Sequence, residues 1–379
     1  MSLDFDKLRR WPDVEAENLQ AVDAADRLLL DLAAEAGWPG GPGRVVVLGD
    51  HYGAMVLGAL EAGVRGLRVH QDALSGVRAI DANARTLLPE LTGEYRHLPL
   101  GAELLGGAAL VLVALPRSLD ALEEMLGFVA EHAAAHVTVM ATGRIKHMSL
   151  SMNEVLGRYF SSVTASLGRQ KSRVLTATGL RPAADRPAPR FPLKASHAVG
   201  LPEPLQVRAH AQTFGGAKLD PGTRFLLEHL ELPADAHRAV DLGCGNGTIA
   251  AFLAVKHPRL GVRASDQSAS AVASTRATAQ ANGVAERITA VQDDALGSLP
   301  DASEHLVVLN PPFHMGNTVH AGIALKLIAD AGRVLAPGGE LWCVWNSHLG
   351  YRGQLESLVG PTRQVARNPK FTVTVSTRK

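Results

Sequence analysis

The stretch Ala239-Val240-Asp241-Leu242-Gly243-Cys244-Gly245-Asn246-Gly247-Thr248 decides how the rest of this chain is read. Its first half is the apolar end of a strand. Glycines at 243, 245 and 247 then permit a tight turn and let a ligand approach the backbone closely. The apolar run Ile249 to Lys256 follows as a helix, and Gly261-Val262-Arg263-Ala264-Ser265-Asp266 as a second strand ending in an acid. Strand, glycine turn, helix and strand in that order specify a doubly wound α/β sheet with a nucleotide-type cofactor at the turn.

The pattern occurs twice. Val45-Val46-Val47-Leu48-Gly49-Asp50 precedes a helical stretch from Gly53 to Ala62, and Leu67-Arg68-Val69-His70-Gln71-Asp72 again ends in an acid. Gly49 aligns with Gly243, Gly53 with Gly247 and Asp72 with Asp266, all at an offset of 194. Two tandem Rossmann-like α/β domains are therefore expected. The copies are not chemically equal, because Asp50, His51 and Tyr52 fill the first turn and block close approach of a ligand. The first copy is read as degenerate. Pro182, Pro187, Pro189 and Pro192 mark a break without helical periodicity. The expected domains are a degenerate one over 1–180 for substrate or RNA binding, a Pro-rich basic linker over 181–200, and a catalytic one over 201–379.

Composition narrows the class. Hydrophobic content of 46% with 20% charged residues is that of a soluble globular protein. The longest apolar run, Ala108 to Pro116, is far short of the ~20 residues that span a bilayer. The opening Met-Ser-Leu-Asp-Phe-Asp-Lys lacks the apolar core of a signal peptide, and Cys244 and Cys343 suggest neither a disulfide framework nor a metal site. A cytoplasmic protein without membrane partner or metal is expected. A net charge of +1 does not mark the whole chain as a nucleic-acid binder, but between 141 and 200 ten Lys and Arg face only Glu154 and Asp185. That local excess of +8 is read as a footprint for a phosphate backbone.

The chemistry lies 65 residues beyond Gly245, in Asn310-Pro311-Pro312-Phe313-His314, which ends the apolar strand Leu306 to Leu309. An amine attached to a nucleobase is a poor nucleophile, because its lone pair is delocalised into the ring. The Asn310 side-chain oxygen and the Pro311 carbonyl can each accept one of its N–H groups and aim the lone pair. Pro311 and Pro312 fix φ and hold that geometry in advance, and Phe313 suits stacking on a flipped base. A general base is not required, so His314 is read as a structural or substrate-contacting residue. With this turn beside it, the glycine motif reads as a site for S-adenosylmethionine: Asp241 suits an amino-acid moiety, Asp266 the ribose hydroxyls and Asp294 the adenine amine. Trp342 and Trp345 read as core residues, and Asn346 and Tyr351 as residues near the mouth of the site.

These residues resemble the RsmC/RlmG family of bacterial ribosomal RNA guanine-N2 methyltransferases. The resemblance runs over most of the chain: the duplicated domain with a degenerate first copy, Asp241 to Thr248, Asn310 to His314, and Gly339-Glu340-Leu341 through Tyr351. It also takes in Phe214-Gly215-Gly216-Ala217-Lys218-Leu219-Asp220-Pro221-Gly222-Thr223, similar to the family's Phe-Ser…Leu-Asp-x-Gly segment, with Gly215 in place of the usual serine. The resemblance implies methylation of a guanine N2 in ribosomal RNA, and places Asp220 and Thr223 in the cofactor pocket. Leu115 to Glu123, Asn346 to Tyr351 and Ala366 to Phe371 look more like the large-subunit branch, which favours 23S over 16S rRNA, as free RNA or a subunit precursor. The paired domains supply surface enough for a monomer to work, and a monomer is expected. The competing readings are an adenine-N6 or glutamine methyltransferase built on the same turn, and a noncatalytic RNA-binding assembly factor.

Overall fold

The computed structural model describes residues 3–16, 19–232, 236–312 and 318–379. The chain divides into two compact units, Met1–Arg190 and Phe191–Lys379. In the first, seven strands are β1 (Val45–Leu48), β2 (Leu67–His70), β3 (Tyr95–His97), β4 (Leu110–Ala114), β5 (Thr138–Arg144), β6 (Phe160–Ala165) and β7 (Ser172–Leu180). They lie in the order β3-β2-β1-β4-β5-β7-β6, with only β7 antiparallel to its neighbours. The second unit adds a hairpin, β8 (Leu193–His197) with β9 (Leu205–Ala209). Its main strands are β10 (Arg238–Leu242), β11 (Gly261–Asp266), β12 (Ile288–Gln292), β13 (Glu304–Leu309), β14 (Leu335–Asn346), β15 (Thr362–Arg367) and β16 (Phe371–Thr377). Their order, β12-β11-β10-β13-β14-β16-β15, repeats that of the first sheet, and β16 is the reversed strand.

The central strands are buried on both faces, which is why Val45–Leu48 and Leu306–Leu309 read as continuous apolar runs without alternation. One apolar layer of the second unit packs Val240, Leu242, Leu309 and Trp345. The opposite layer packs Ala239, Val308, Trp342 and Phe252. Both tryptophans are thus core residues, and Tyr351 is buried in the first of these layers beside Leu355.

The proline-marked stretch departs from a simple linker. Arg181 and Arg186 donate to the Gly157 and Ala130 carbonyls of the first unit, whereas 193–197 is a strand of the second. The outward backbone of β9 is met by a polar stripe on the helix Ala269–Ala281 and its end. Ser274 Oγ accepts the His210 N–H at 2.8 Å, Thr278 Oγ1 the Arg208 N–H at 2.9 Å and Asn282 Oδ1 the Gln206 N–H at 2.9 Å. These four-residue steps lie on one helix face. The signal was the alternation in Leu193-Lys194-Ala195-Ser196-His197 and Leu205-Gln206-Val207-Arg208-Ala209.

The two glycine turns show how the copies diverged. In the second unit Asp241, wholly buried at the end of β10, accepts the Ala250 N–H of the helix Thr248–Lys256 at 2.9 Å. The equivalent N–H in the first unit belongs to Val56, where the strand position is Val47. Asp50 supplies the carboxylate instead, from within the turn: Oδ2 accepts Val56 N–H at 2.8 Å and Oδ1 accepts Gly53 N–H at 2.9 Å. The N-terminal segment covers the same turn, through Tyr52 Oη donating to Asp13 at 2.6 Å and Asn83 joining the Tyr52 and Arg9 carbonyls. Asp50→Ala strands two buried backbone donors, at about 1–3 kcal/mol each. Its expected result is a lower denaturation midpoint for the first unit, read by urea unfolding; an unchanged midpoint would contradict this account of the degenerate turn.

Candidate active site

Strand register builds the site. Leu242 of β10 lies opposite Leu309 of β13 in a parallel pair. Gly243 and Asn310, the next residues, therefore leave neighbouring strands side by side, about 4.8 Å apart. Between these strands the order of the sheet reverses, the position where doubly wound folds bind ligands.

The three glycines serve two purposes. All have positive φ, +72° at Gly243, +53° at Gly245 and +75° at Gly247. A Cβ on Gly247 would stand 2.8 Å from Thr275 Cα, so this glycine lets the turn pack on the helix Ala269–Ala281. A Cβ on Gly243 or Gly245 would meet nothing within 4 Å, so their backbone faces open space. Asn246 secures the turn, its Nδ2 donating to the Gly216 and Lys218 carbonyls at 2.9 and 3.2 Å and its Oδ1 accepting from Thr248 Oγ1 at 2.7 Å. Cys244 accepts from Thr275 Oγ1 at 3.2 Å, and burial pushes its thiol well above the usual range, which suits packing rather than reactivity.

The acids divide by role. Asp266 Oδ2 accepts the Gly245 N–H and Oδ1 the Ser268 N–H, each at 3.0 Å. The N-cap of the following helix is Ser268, whose Oγ accepts from Ala271 N–H. Asp266 ties the turn to β11. Asp293 closes the next turn by accepting the Asp294 and Ser298 N–H groups at 2.8 and 2.9 Å. Asp294 is half-buried and pairs with Lys326. Asp241 Oδ1 is buried and has no hydrogen-bond partner among the described residues. Burial, reinforced by the charge on Asp266, pushes its carboxyl up to about 7.

Asn310 is held from the side. Its Nδ2 donates to Asp220 Oδ2 at 2.9 Å and to Thr223 Oγ1 at 2.8 Å. Asp220 caps the helix Pro221–Leu227, accepting the Thr223 N–H at 2.7 Å with Pro221 in the first turn. The polar atoms of Asp220 and Thr223, which the resemblance assigned to the cofactor, thus bear on Asn310. No donor among the described residues reaches Asn310 Oδ1. Pro311 is buried and Pro312 exposed; Phe313 and His314 lie outside the described residues.

The basic segment is partly neutralised by acids distant in sequence. Arg144 pairs with Asp23 at 3.1 Å, Arg158 with Glu123 at 3.2 Å, Arg169 with Asp31, and Arg190 with Asp120 and Glu123 at 2.9 and 2.8 Å. Lys146 and Lys171 are exposed without an ion-pair partner among the described residues, and the Ile145 N–H to Lys171 carbonyl bond at 2.9 Å sets their backbones together.

Two features of the second unit fit S-adenosylmethionine: the clear approach over Gly243 and Gly245, and a buried carboxylate oxygen, Asp241 Oδ1, lacking a donor that an ammonium would supply. Residues 204–375 match the methyltransferase small domain family, and residues 2–180 the RLMG N-terminal domain family. The chain is 38% identical to the ribosomal RNA large subunit methyltransferase G of Pseudomonas paraeruginosa, over 97% of this chain and 96% of the relative. With the enzyme of the same name from Streptomyces coelicolor it shares 36% identity, again over 97% and 96%. Among solved structures, the T. thermophilus 16S rRNA N2 G1207 methyltransferase (RsmC), in complex with AdoMet and guanosine, matches in fold. Its TM-score is 0.71 at 20% identity, covering 94% of this chain and 92% of that one. Two sheets of one topology, a glycine turn set beside an Asn-Pro-Pro turn, and near full-length relatives make this chain a member of the ribosomal RNA large subunit methyltransferase G family.

Proposed function

We propose that the chain methylates the exocyclic N2 amine of a guanine in ribosomal RNA, with 23S rRNA the substrate. The observation that carries this reading is the Asn310 amide, whose donor end is held by Asp220 and Thr223 and whose oxygen is left for a substrate N–H beside the glycine turn. When bound, S-adenosylmethionine supplies an electrophilic methyl group, which the amine nitrogen takes as the carbon–sulfur bond breaks and a proton is shed. Gly243 and Gly245 admit the cofactor against the backbone, Gly247 holds the turn on its helix, and Asp241 receives the ammonium. Asp266 accepts from the ribose hydroxyls and Asp294 from the adenine amine. Asn310 and the Pro311 carbonyl each accept one N–H of the guanine amine, Pro312 stiffens the turn, and Phe313 stacks on the flipped base. Large-subunit relatives over nearly the whole chain favour 23S rRNA, as free RNA or a precursor particle. Lys146 and Lys171 of the first unit meet flanking phosphates. Among the described residues no helix is long and apolar enough to cross a membrane, in keeping with a cytoplasmic enzyme, which we read as a monomer.

Asn310→Ala is expected to lower turnover by several powers of ten, each tenfold being ~1.4 kcal/mol, while cofactor affinity measured by calorimetry stays within a few-fold. Transfer of labelled methyl to purified 23S rRNA at near-normal rate by this variant would sink the mechanism.

The state of Asp241 sets a pH dependence. Its carboxyl is raised, to about 7, so below that pH it is protonated in the free protein and offers an ammonium no ionic partner. Cofactor affinity should therefore rise with pH up to about 7 and then level off, and Asp241→Asn should flatten the profile. A flat profile in the unaltered protein would remove Asp241 from the cofactor site.

Lys146→Ala with Lys171→Ala should weaken RNA binding and lessen the salt slope of log K by about 0.7 for each single-strand phosphate that is no longer neutralised. Filter binding across a salt series reads both; an unchanged slope would take these lysines out of the RNA interface.

A further inference from the structure

We propose that Asp220 and Thr223 are positioning residues, which fix the orientation of the Asn310 amide and so make this turn an acceptor of amine hydrogens rather than a donor. The inference rests on the function proposed above and deepens it. A carboxamide has two ends of nearly equal size and opposite hydrogen-bonding sense. Pointed the wrong way, Asn310 would present an NH2 group to the substrate amine and repel it. Proline at 311 and 312 stiffens the backbone but leaves the side-chain amide free to turn over.

Asp220 and Thr223 remove that freedom. Asp220 is an acceptor on both oxygens when ionised, and Oδ2 lies 2.9 Å from Asn310 Nδ2. Turning the amide over would set its oxygen against that carboxylate. Thr223 Oγ1 takes the second hydrogen of the same nitrogen at 2.8 Å, so both donor sites are used and Oδ1 alone faces away. The orienting pair is itself fixed. Thr223 N–H holds Asp220 Oδ2 at 2.7 Å as a helix cap, Pro221 opens that helix, and Thr223 is buried at 7% exposure. A Cβ on Gly222 would stand 3.0 Å from Asp220 Oδ2 and 3.2 Å from Phe371 Cε1, so glycine there leaves the carboxylate its place. Asp220 and Thr223 are 90 and 87 residues from Asn310, so the arrangement depends on tertiary structure.

The test uses the full chain, S-adenosylmethionine with a labelled methyl group, and rRNA purified from cells lacking the gene. Asp220→Asn keeps a good helix cap but offers either amide end to Asn310. Thr223→Val keeps the volume and removes the acceptor, and Thr223→Ser restores it. The expected result is a fall in kcat of about tenfold to a hundredfold for Asp220→Asn and for Thr223→Val. The KM for RNA, the cofactor Kd and the melting temperature should stay close to the parent, with activity recovered in Thr223→Ser. A raised cofactor Kd with unchanged kcat at saturating cofactor would overturn the proposal and return the pair to the cofactor pocket. Unchanged kinetics in both variants would overturn it as well. Asn310→Ala separates the two levels. If it is inactive while Asp220→Asn and Thr223→Val behave as the parent, only the positioning role fails; if it is active, the reading of Asn310 fails and the positioning role falls with it.

Discussion

Parallel pairing of β10 with β13, Leu242 opposite Leu309, is the constraint on which the rest of the site depends. The proposed chemistry needs the glycine turn and the Asn-Pro-Pro turn together. Register sets their first residues side by side, and both strands are buried on both faces between two apolar layers. The helix Pro221–Leu227 then reaches the same point from elsewhere in the chain and holds Asn310 by its amide nitrogen. A rigid backbone position and a defined side-chain orientation come from separate parts of the sequence.

The first unit shows what the fold does without that chemistry. Both sheets have one strand order, and the offset of 194 residues holds from β1 and β10 through β4 and β13. The helix after each turn needs a carboxylate on the same backbone N–H, at Val56 or Ala250. Taking it from the strand, as Asp241 does, leaves the backbone open at Gly243 and Gly245, with a second carboxylate oxygen to spare. Taking it from the turn, as Asp50 does, uses both oxygens internally and puts a side chain where a ligand would lie. The same helix cap is satisfied in both units, and only one solution keeps an open site.

Much of this was legible in the sequence because it rests on local rules. Glycine spacing, apolar strands, acid strand ends and the internal repeat led to two Rossmann-like units and to the right turn in each. What was hidden rests on side chains meeting across long separations. The β8–β9 hairpin was concealed by prolines, although the alternation on either side of them is present. Asp220 and Thr223 were found through resemblance, and their hydrogen bonds to Asn310 are a tertiary fact that spacing does not reveal. An Asp followed by Pro is nonetheless a readable helix start, and it points to the capping role that the structure shows. The division of labour between Asp293 and Asp294, and between Asp266 and Ser268, turns on which side chain faces the backbone of its own turn, a matter of one or two residues. The surplus of basic residues over 141–200 was visible, but not its partial cancellation by Asp23, Asp31, Asp120 and Glu123, which come from earlier in the chain.

The central claim is that this site methylates a guanine amine of 23S rRNA. Its most direct test is mass spectrometry of nucleoside digests from separated 16S and 23S rRNA, with the gene present and deleted. The account predicts loss of N2-methylguanosine from the 23S digest of the deletion strain and an unchanged 16S digest. An unchanged 23S digest would contradict it.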